Sequence, residues 1–227
     1  MKTIKYPKRE QWQELLKRPV LNVSTLEALV AEVLIDIKTG GDEAVKNYTV
    51  QFDKVAIDNL LVTEQEFSEA EKNVSDELKE AIQQAKTNIE KFHAAQKEDI
   101  KVIETVEGVK CWRKSVAIEK VGLYIPGGSA SLFSTILMLG FPAKIAGCKE
   151  IILCTPLSAN GKINAAILYT AKLVGIAKVF KAGGVQAIGA MAYGTETIPQ
   201  VYKVFGPGNQ YVTCAKQLIN KQGIAID

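Results

Sequence analysis

Four short turns hold most of the residues in this chain that can do chemistry: IPGGSAS at 125–131, CTPLSANGK at 154–162, AGGVQA at 182–187 and GPGNQY at 206–211. Three of them carry paired or near-paired glycines, which let a turn take positive φ and let a ligand approach the backbone; each taken alone also reads as no more than a tight turn. The polar residues beside them are more specific. Gln186 opens the helical stretch after Gly183-Gly184, and because glutamine is not a capping residue its amide reads as a ligand contact. Asn209 reads either as an N-cap, for which asparagine is well suited, or as a contact. Tyr124, at the end of an apolar run, is either core filler or a ring set against a flat ligand. Where such a turn leads from a strand into a helix, the N–H groups of the first helical turn face one edge and favour an anion. Neither common phosphate fingerprint is met, since Tyr211 stands where G-x-G at 206–208 needs its third glycine, and Gly189-Ala190 stands where a P-loop needs Gly-Lys.

No reaction centre accompanies this binding edge. His93, the only histidine, lies between Phe92 and Ala94 in a helical stretch and reads as a structural residue. Cys111, Cys148, Cys154 and Cys214 are dispersed and form no C-x-x-C pair, so neither a zinc cage nor a disulfide framework is expected. No catalytic and no metal-ligating residue is expected among these 227.

The elements that must position the turns fall into two textures. Up to about residue 97 the pattern is helical: Ser24 and Glu27 make a capping-box signature, and Leu26, Leu29, Val30, Val33, Leu34 and Ile37 repeat at helical spacing until Gly40-Gly41. A second helix is expected from about 42 to 52, and a third, long and charged, over 64–96 with Ala81, Ile82, Ala85, Ile89, Phe92 and Ala95 on one stripe. A hairpin around Glu107-Gly108 leads into the strand at 121. From there VGLYI, EIILC, KVFKA and YKVFG alternate with helical stretches at 131–146, 163–174, 185–193 and 209–220, and GIAID starts a fifth strand. Repeated βα units with short apolar strands imply a parallel sheet covered on both faces. The fold class expected is α/β: a helical N-terminal region with a hairpin over residues 1–118, then an incomplete Rossmann-like domain over 119–227. Ligands of such sheets sit outside the carboxyl ends of the strands.

Composition excludes several classes. A net charge of +3, with no basic cluster interleaved with aromatics, gives no footprint for nucleic acid. No run approaches the roughly 18–20 apolar residues of a membrane span, and the opening MKTIKYPKREQW has no apolar leader, so a cytoplasmic protein with reduced thiols is expected.

The stretches VGLYIPGGSASLFSTILMLGFPAKIAGCKEIILCTP, AGGVQAIGAMAYGTETIP and FGPGNQYVTCAK closely resemble histidinol dehydrogenase, and the match runs upstream through GDEAVKNYTVQFD, FHAAQ and GVKCWRK. The resemblance implies an NAD-dependent oxidoreductase of histidine biosynthesis that converts L-histidinol to L-histidine in two steps, with a zinc ion and a Glu-His pair, as a homodimer. Carried over by motif, it implies that Tyr124, Gln186 and Asn209 contact NAD and that Pro126 and Pro207 line the dinucleotide. The sequence stops at Ile226-Asp227, where the family continues into an Ala-Gly-Pro-Ser-Glu segment. The resemblance therefore implies that zinc ligands, catalytic pair and substrate contacts lie beyond these residues, and that the 227 residues alone are inactive. The competing expectations are a catalytically silent nucleotide-binding module and one half of a split enzyme that needs a separate C-terminal chain.

Overall fold

A computed structural model describes residues 3–17, 23–127 and 131–227; Gly128 and the side chain of Ser24, both invoked above, lie outside that description. After a 3-10 turn and the short helix α1 (Trp12–Leu15), which the sequence did not announce, α2 (Val23–Asp53) runs in two segments that meet at a kink. The kink is at Gly41, with φ 53, where a side chain would strike the Glu196 carboxylate. The kink is tied down by Asp42, which accepts from Thr195 Oγ1 at 2.6 Å and from the Thr197 N–H at 3.2 Å. On the first segment Val30, Val33, Leu34 and Ile37 are all buried, as their spacing requires.

The single long helix expected over 64–96 is instead two, α3 (Glu64–Asn73) and α4 (Asp76–Ala94). Between them Val74 is extended and buried, and Ser75 caps α4 by accepting from the Leu78 N–H at 3.3 Å. A serine followed by Asp76 and Glu77 is a helix-start signal that outweighs the continuity of helix-forming residues. The expected apolar stripe is also narrower. Ile82 is buried and Ala85 and Ile89 are half-buried, but Ala81, Ala95 and Phe92 are exposed, Phe92 at 64%.

The hairpin forms where expected, with β1 (Val102–Val106) antiparallel to β2 (Val109–Trp112), and every one of its strand residues is exposed. The rest is the βα alternation: β3 (Lys120–Tyr124), α5 (Phe133–Ala146), β4 (Glu150–Thr155), α6 (Ala165–Val174), β5 (Lys178–Lys181), α7 (Gly184–Tyr193), β6 (Lys203–Phe205), α8 (Gln210–Asn220) and β7 (Ala225–Ile226). The five strands are parallel in the order β5-β4-β3-β6-β7, so the chain reverses its direction of travel between β3 and β6. The segment leaving α2 adds a short antiparallel contact outside β5, with Lys181 N–H donating to Leu60 O at 2.8 Å and Val62 N–H to Val179 O at 2.9 Å.

Alternation along the strands sorts side chains into two cores. Tyr124, Ile152, Cys154 and Phe180 face a layer made by α2, α7 and α8. Leu123, Ile125, Leu153 and Val179 face α5 and α6, which are backed by α4 and α3. Both cores draw residues from either side of position 118.

Candidate dinucleotide edge

The reversal falls between β3 and β6, and the carboxyl ends of strands at such a reversal are the usual place for a ligand in an open parallel sheet. Tyr124, the last residue of β3, is 4% exposed, and its hydroxyl accepts the Gly184 N–H at 3.0 Å. Its ring therefore fills the core beneath α7, and its oxygen does what the side-chain-less N-cap Gly183 cannot. Burial pushes the Tyr124 pKa up, the Gly184 N–H pulls it partly back, and the Asp53 carboxylate adds to the rise. At neutral pH the phenol keeps its proton and remains a donor.

Two residues further along α7, Gln186 is 1% exposed, and its Oε1 has no hydrogen-bond partner. That oxygen lies 3.0 Å from where a Gly184 side chain would begin, so Tyr124, Gly184 and Gln186 form one cluster. The turns beneath interlock through missing side chains. A Cβ on Gly127 would lie 2.6 Å from Pro156 Cγ and one on Gly183 2.5 Å from Pro156 Cβ, so this proline from the β4–α6 turn is wedged between the other two.

On the other side of the reversal, Gly206 has φ 134 and lies so close to β3 that a Cβ there would overlap the Tyr124 carbonyl. Its N–H donates to Asp227 Oδ2 at 2.9 Å and its carbonyl accepts from Lys216 Nζ at 3.1 Å, while Lys216 also pairs with Asp227. Burial pulls the Lys216 pKa below the usual lysine range. Sequence reasoning missed this brace, although a lysine on the same stripe as Val212, Ala215 and Ile219 was its signal.

Asn209 is exposed, and its Oδ1 accepts the Tyr211 N–H at 3.0 Å and the Val212 N–H at 3.1 Å, so it is the N-cap of α8. Pro207 beside it is exposed. Pro126 faces the other layer, on a cavity of about 320 Å³ shared with Ser131, Thr155 and Asn164. The structure thus brings Tyr124 and Gln186 together, sets Gly206, which precedes Pro207 and Asn209, against the backbone of Tyr124, and puts Pro126 on the opposite flank.

The expectation of free helix-start N–H groups along this edge needs correction. Tyr124 occupies the Gly184 N–H of α7, Asn209 occupies two at α8, and Asn164 occupies the Ala166 N–H of α6 at 2.9 Å. Short polar side chains and a tyrosine thus take one or two of the four N–H groups that each of these three helices would offer an anion. Only α5 starts without a side-chain cap among these four.

One further buried polar group was missed. Asp53 ends α2 with its Oδ2 buried and unpartnered, and burial raises its pKa above the ordinary carboxylate value. Its only signal in the sequence is a carboxylate closing a helix at Phe52-Asp53. Cys154 is fully buried and its thiol is pushed far up, which makes it inert packing. His93 lies on α4 with its Nδ1 2.8 Å from Gln96 Oε1, in the layer on the other side of the sheet from α7. Among the described residues no three His, Cys, Asp or Glu side chains converge to hold a metal ion, so these residues do not fit a zinc site. Nor is any described helix long and apolar enough to cross a membrane.

Comparison with known proteins places this arrangement. A family model described as histidinol dehydrogenase matches residues 16–227. The curated histidinol dehydrogenase of Bacteroides fragilis is 61% identical over 227 residues, covering 100% of this chain and 53% of the relative. That of Pectobacterium atrosepticum is 48% identical over 221 residues, covering 96% of this chain and 49% of the relative. The crystal structure of histidinol dehydrogenase from Elizabethkingia anophelis superposes with a TM-score of 0.92 at 56% identity, over 97% of this chain and 51% of the other. The chain spans about half the length of the relatives it matches.

Proposed function

Because the chain belongs to the histidinol dehydrogenase family, we propose that it supplies the NAD-contacting part of an enzyme that oxidises L-histidinol to L-histidine. The observation that carries this reading is Gln186, a glutamine 1% exposed whose Oε1 has no partner at the ligand edge of a parallel sheet. An orphaned buried amide oxygen costs on the order of 1–3 kcal/mol, and a ligand that brings a donor removes that cost. NAD fits this vacancy in hydrogen bonding, since its amide, amino and hydroxyl groups are all donors, and when bound it supplies a hydride acceptor. The chain's own residues bind and orient. Gln186 accepts from the ligand, the Tyr124 hydroxyl offers its proton while held by Gly184, and the Asn209 amide nitrogen and the Pro126 and Pro207 rings flank the dinucleotide.

In this reading L-histidinol as substrate, zinc, the pairing of two copies and a cytoplasmic location belong to the longer protein. Removing hydride from an alcohol needs a base for its proton, and the one histidine here is engaged with Gln96 on the far layer. The 227 residues are therefore expected to bind NAD without producing NADH from L-histidinol. Calorimetric titration of NAD into this chain and Gln186→Ala, with circular dichroism to confirm folding, is the test. One neutral hydrogen bond of roughly 0.5–1.5 kcal/mol corresponds to a weakening of about three- to tenfold. Equal affinities would put the nucleotide elsewhere, and NADH formation by the chain alone would overturn the division of labour.

A further inference from the structure

Gly206 is buried, so both of its main-chain polar groups need partners. The register of β6 with β3 ends at Phe205, and that with β7 at Val204. Two side chains take over: the Gly206 N–H donates to Asp227 Oδ2 at 2.9 Å, and the Gly206 carbonyl accepts from Lys216 Nζ at 3.1 Å. Lys216 and Asp227 also pair with each other, so the main chain of one residue is closed in a ring of charged groups. Asp227 directly follows β7 and Lys216 lies on α8, so the ring joins the carboxyl end of the sheet to the helix that the turn introduces.

Lys216 is 9% exposed, on a helix face with Val212, Ala215 and Ile219. Exchanging a buried ion pair for apolar side chains often costs no stability, but an apolar side chain cannot hold a carbonyl. Beyond the ring the turn has little freedom. Gly206 is pressed on the Tyr124 carbonyl, Pro207 has its φ fixed, and a Cβ on Gly208 would lie 2.2 Å from Val212 Cγ1. Asn209 comes next. Its Oδ1 is spent on the Tyr211 and Val212 N–H groups, and its amide nitrogen is what remains for a ligand.

We infer that Lys216 and Asp227 are positioning residues of the dinucleotide edge, holding Gly206 by both main-chain groups so that Asn209 presents its amide nitrogen in one place. The inference rests on the dinucleotide reading above. A turn held before the ligand arrives need not be ordered by it, so the pair favours binding without touching the ligand. Removing either side chain frees the turn and loses at most what Asn209 contributes.

The experiment is calorimetric titration of NAD into the parent chain, Lys216→Met, Asp227→Ala and Asn209→Ser, and into each of the first two combined with Asn209→Ser, with circular dichroism to confirm folding. Serine keeps the cap of α8 and removes the amide nitrogen. Lys216→Met and Asp227→Ala are each expected to weaken NAD by about three- to tenfold, the factor for one neutral hydrogen bond, and Asn209→Ser by at least as much. In the Asn209→Ser background either change should alter the affinity by less than about twofold, because the group it acts through is gone. Equal losses in both backgrounds overturn the inference, since a residue that only stabilises the fold acts alike in each. So does a folded Lys216→Met or Asp227→Ala chain that binds NAD as the parent does. The Asp227 side chain is 36% exposed, so Asp227→Ala carries the test if Lys216→Met alone is unfolded; failure of both to fold would make the pair structural and overturns the inference too. Asn209→Ser binding like the parent removes Asn209 from the edge and the inference with it, whereas a parent that takes up no NAD fails the whole dinucleotide reading.

Discussion

Tyr124 does two jobs with one side chain, since its ring is part of the core under α7 and its oxygen caps that helix. Of the two readings open for its ring in the sequence, core filler is the one its burial shows. Replacing it with phenylalanine keeps the ring and orphans the Gly184 N–H, so Tyr124→Phe is expected to cost about 1–3 kcal/mol in urea unfolding. The pH dependence follows from the raised pKa. A group whose folded pKa exceeds its unfolded value contributes stability that is present below the unfolded value, about 10 for tyrosine, and lost as pH rises through the folded one. Tyr48, pushed up to about 12 mainly by burial and next by its hydrogen bond to Asp36, and Tyr193 share this behaviour. Stability of the parent should fall above pH 10, and Tyr124→Phe should fall less steeply; identical slopes would show that the phenol is not shielded.

Among elements, glycines that look alike in the sequence separate once their neighbours are known. Gly108 in the hairpin turn has φ 79 with nothing within 4 Å of a built Cβ, whereas Gly206 has φ 134 and the Tyr124 backbone against it. Gly108→Ala should cost about 1 kcal/mol, the conformational penalty alone. Gly206→Ala should cost roughly 3 kcal/mol or more, because main chain cannot swing aside as a side chain can. Equal losses in denaturant titrations would mean that β6 does not press on β3. The two sheets should also differ in hydrogen exchange. All strand residues of β1 and β2 are exposed, while β3 and β4 lie at the centre of the parallel sheet between two cores, so hairpin amides should exchange orders of magnitude faster.

At the scale of the molecule, α2 packs on α7 and α8, and α3 and α4 pack on α6 and α5, so the helices before residue 118 complete both faces of the sheet that follows. Residues 1–118 and 119–227 are expected to unfold in one transition that fluorescence and circular dichroism report alike. Two separated transitions would make the sequence boundary a boundary of stability as well. The folded chain exposes 14340 Å², against roughly 10,000 Å² for a compact monomer of its mass. Less surface is buried on folding, so the urea m-value should be about a sixth below that of a compact chain of equal length.

The βα alternation, the hairpin, the helix stop at Gly40-Gly41 and the family were legible before any packing was known, because each is written in local periodicity, in a glycine, or in contiguous motifs. That Gln186 makes no helix cap was also legible, since side-chain chemistry at a helix start is a local matter. The break at Val74-Ser75 was legible in the Ser-Asp-Glu signal but was masked by good helix formers on both sides. Tertiary structure alone decided which helix-start N–H of α7 was already taken, since Tyr124 and Gly184 are 60 residues apart and meet only because β3 and β5 lie in one sheet. The same holds for the wedge of Pro156 between Gly127 and Gly183, for the Lys216–Asp227 brace on Gly206, and for the unpartnered carboxylate of Asp53. Propensity and periodicity act within a few residues along the chain, whereas hydrogen-bond satisfaction and van der Waals exclusion act between groups that only packing brings together.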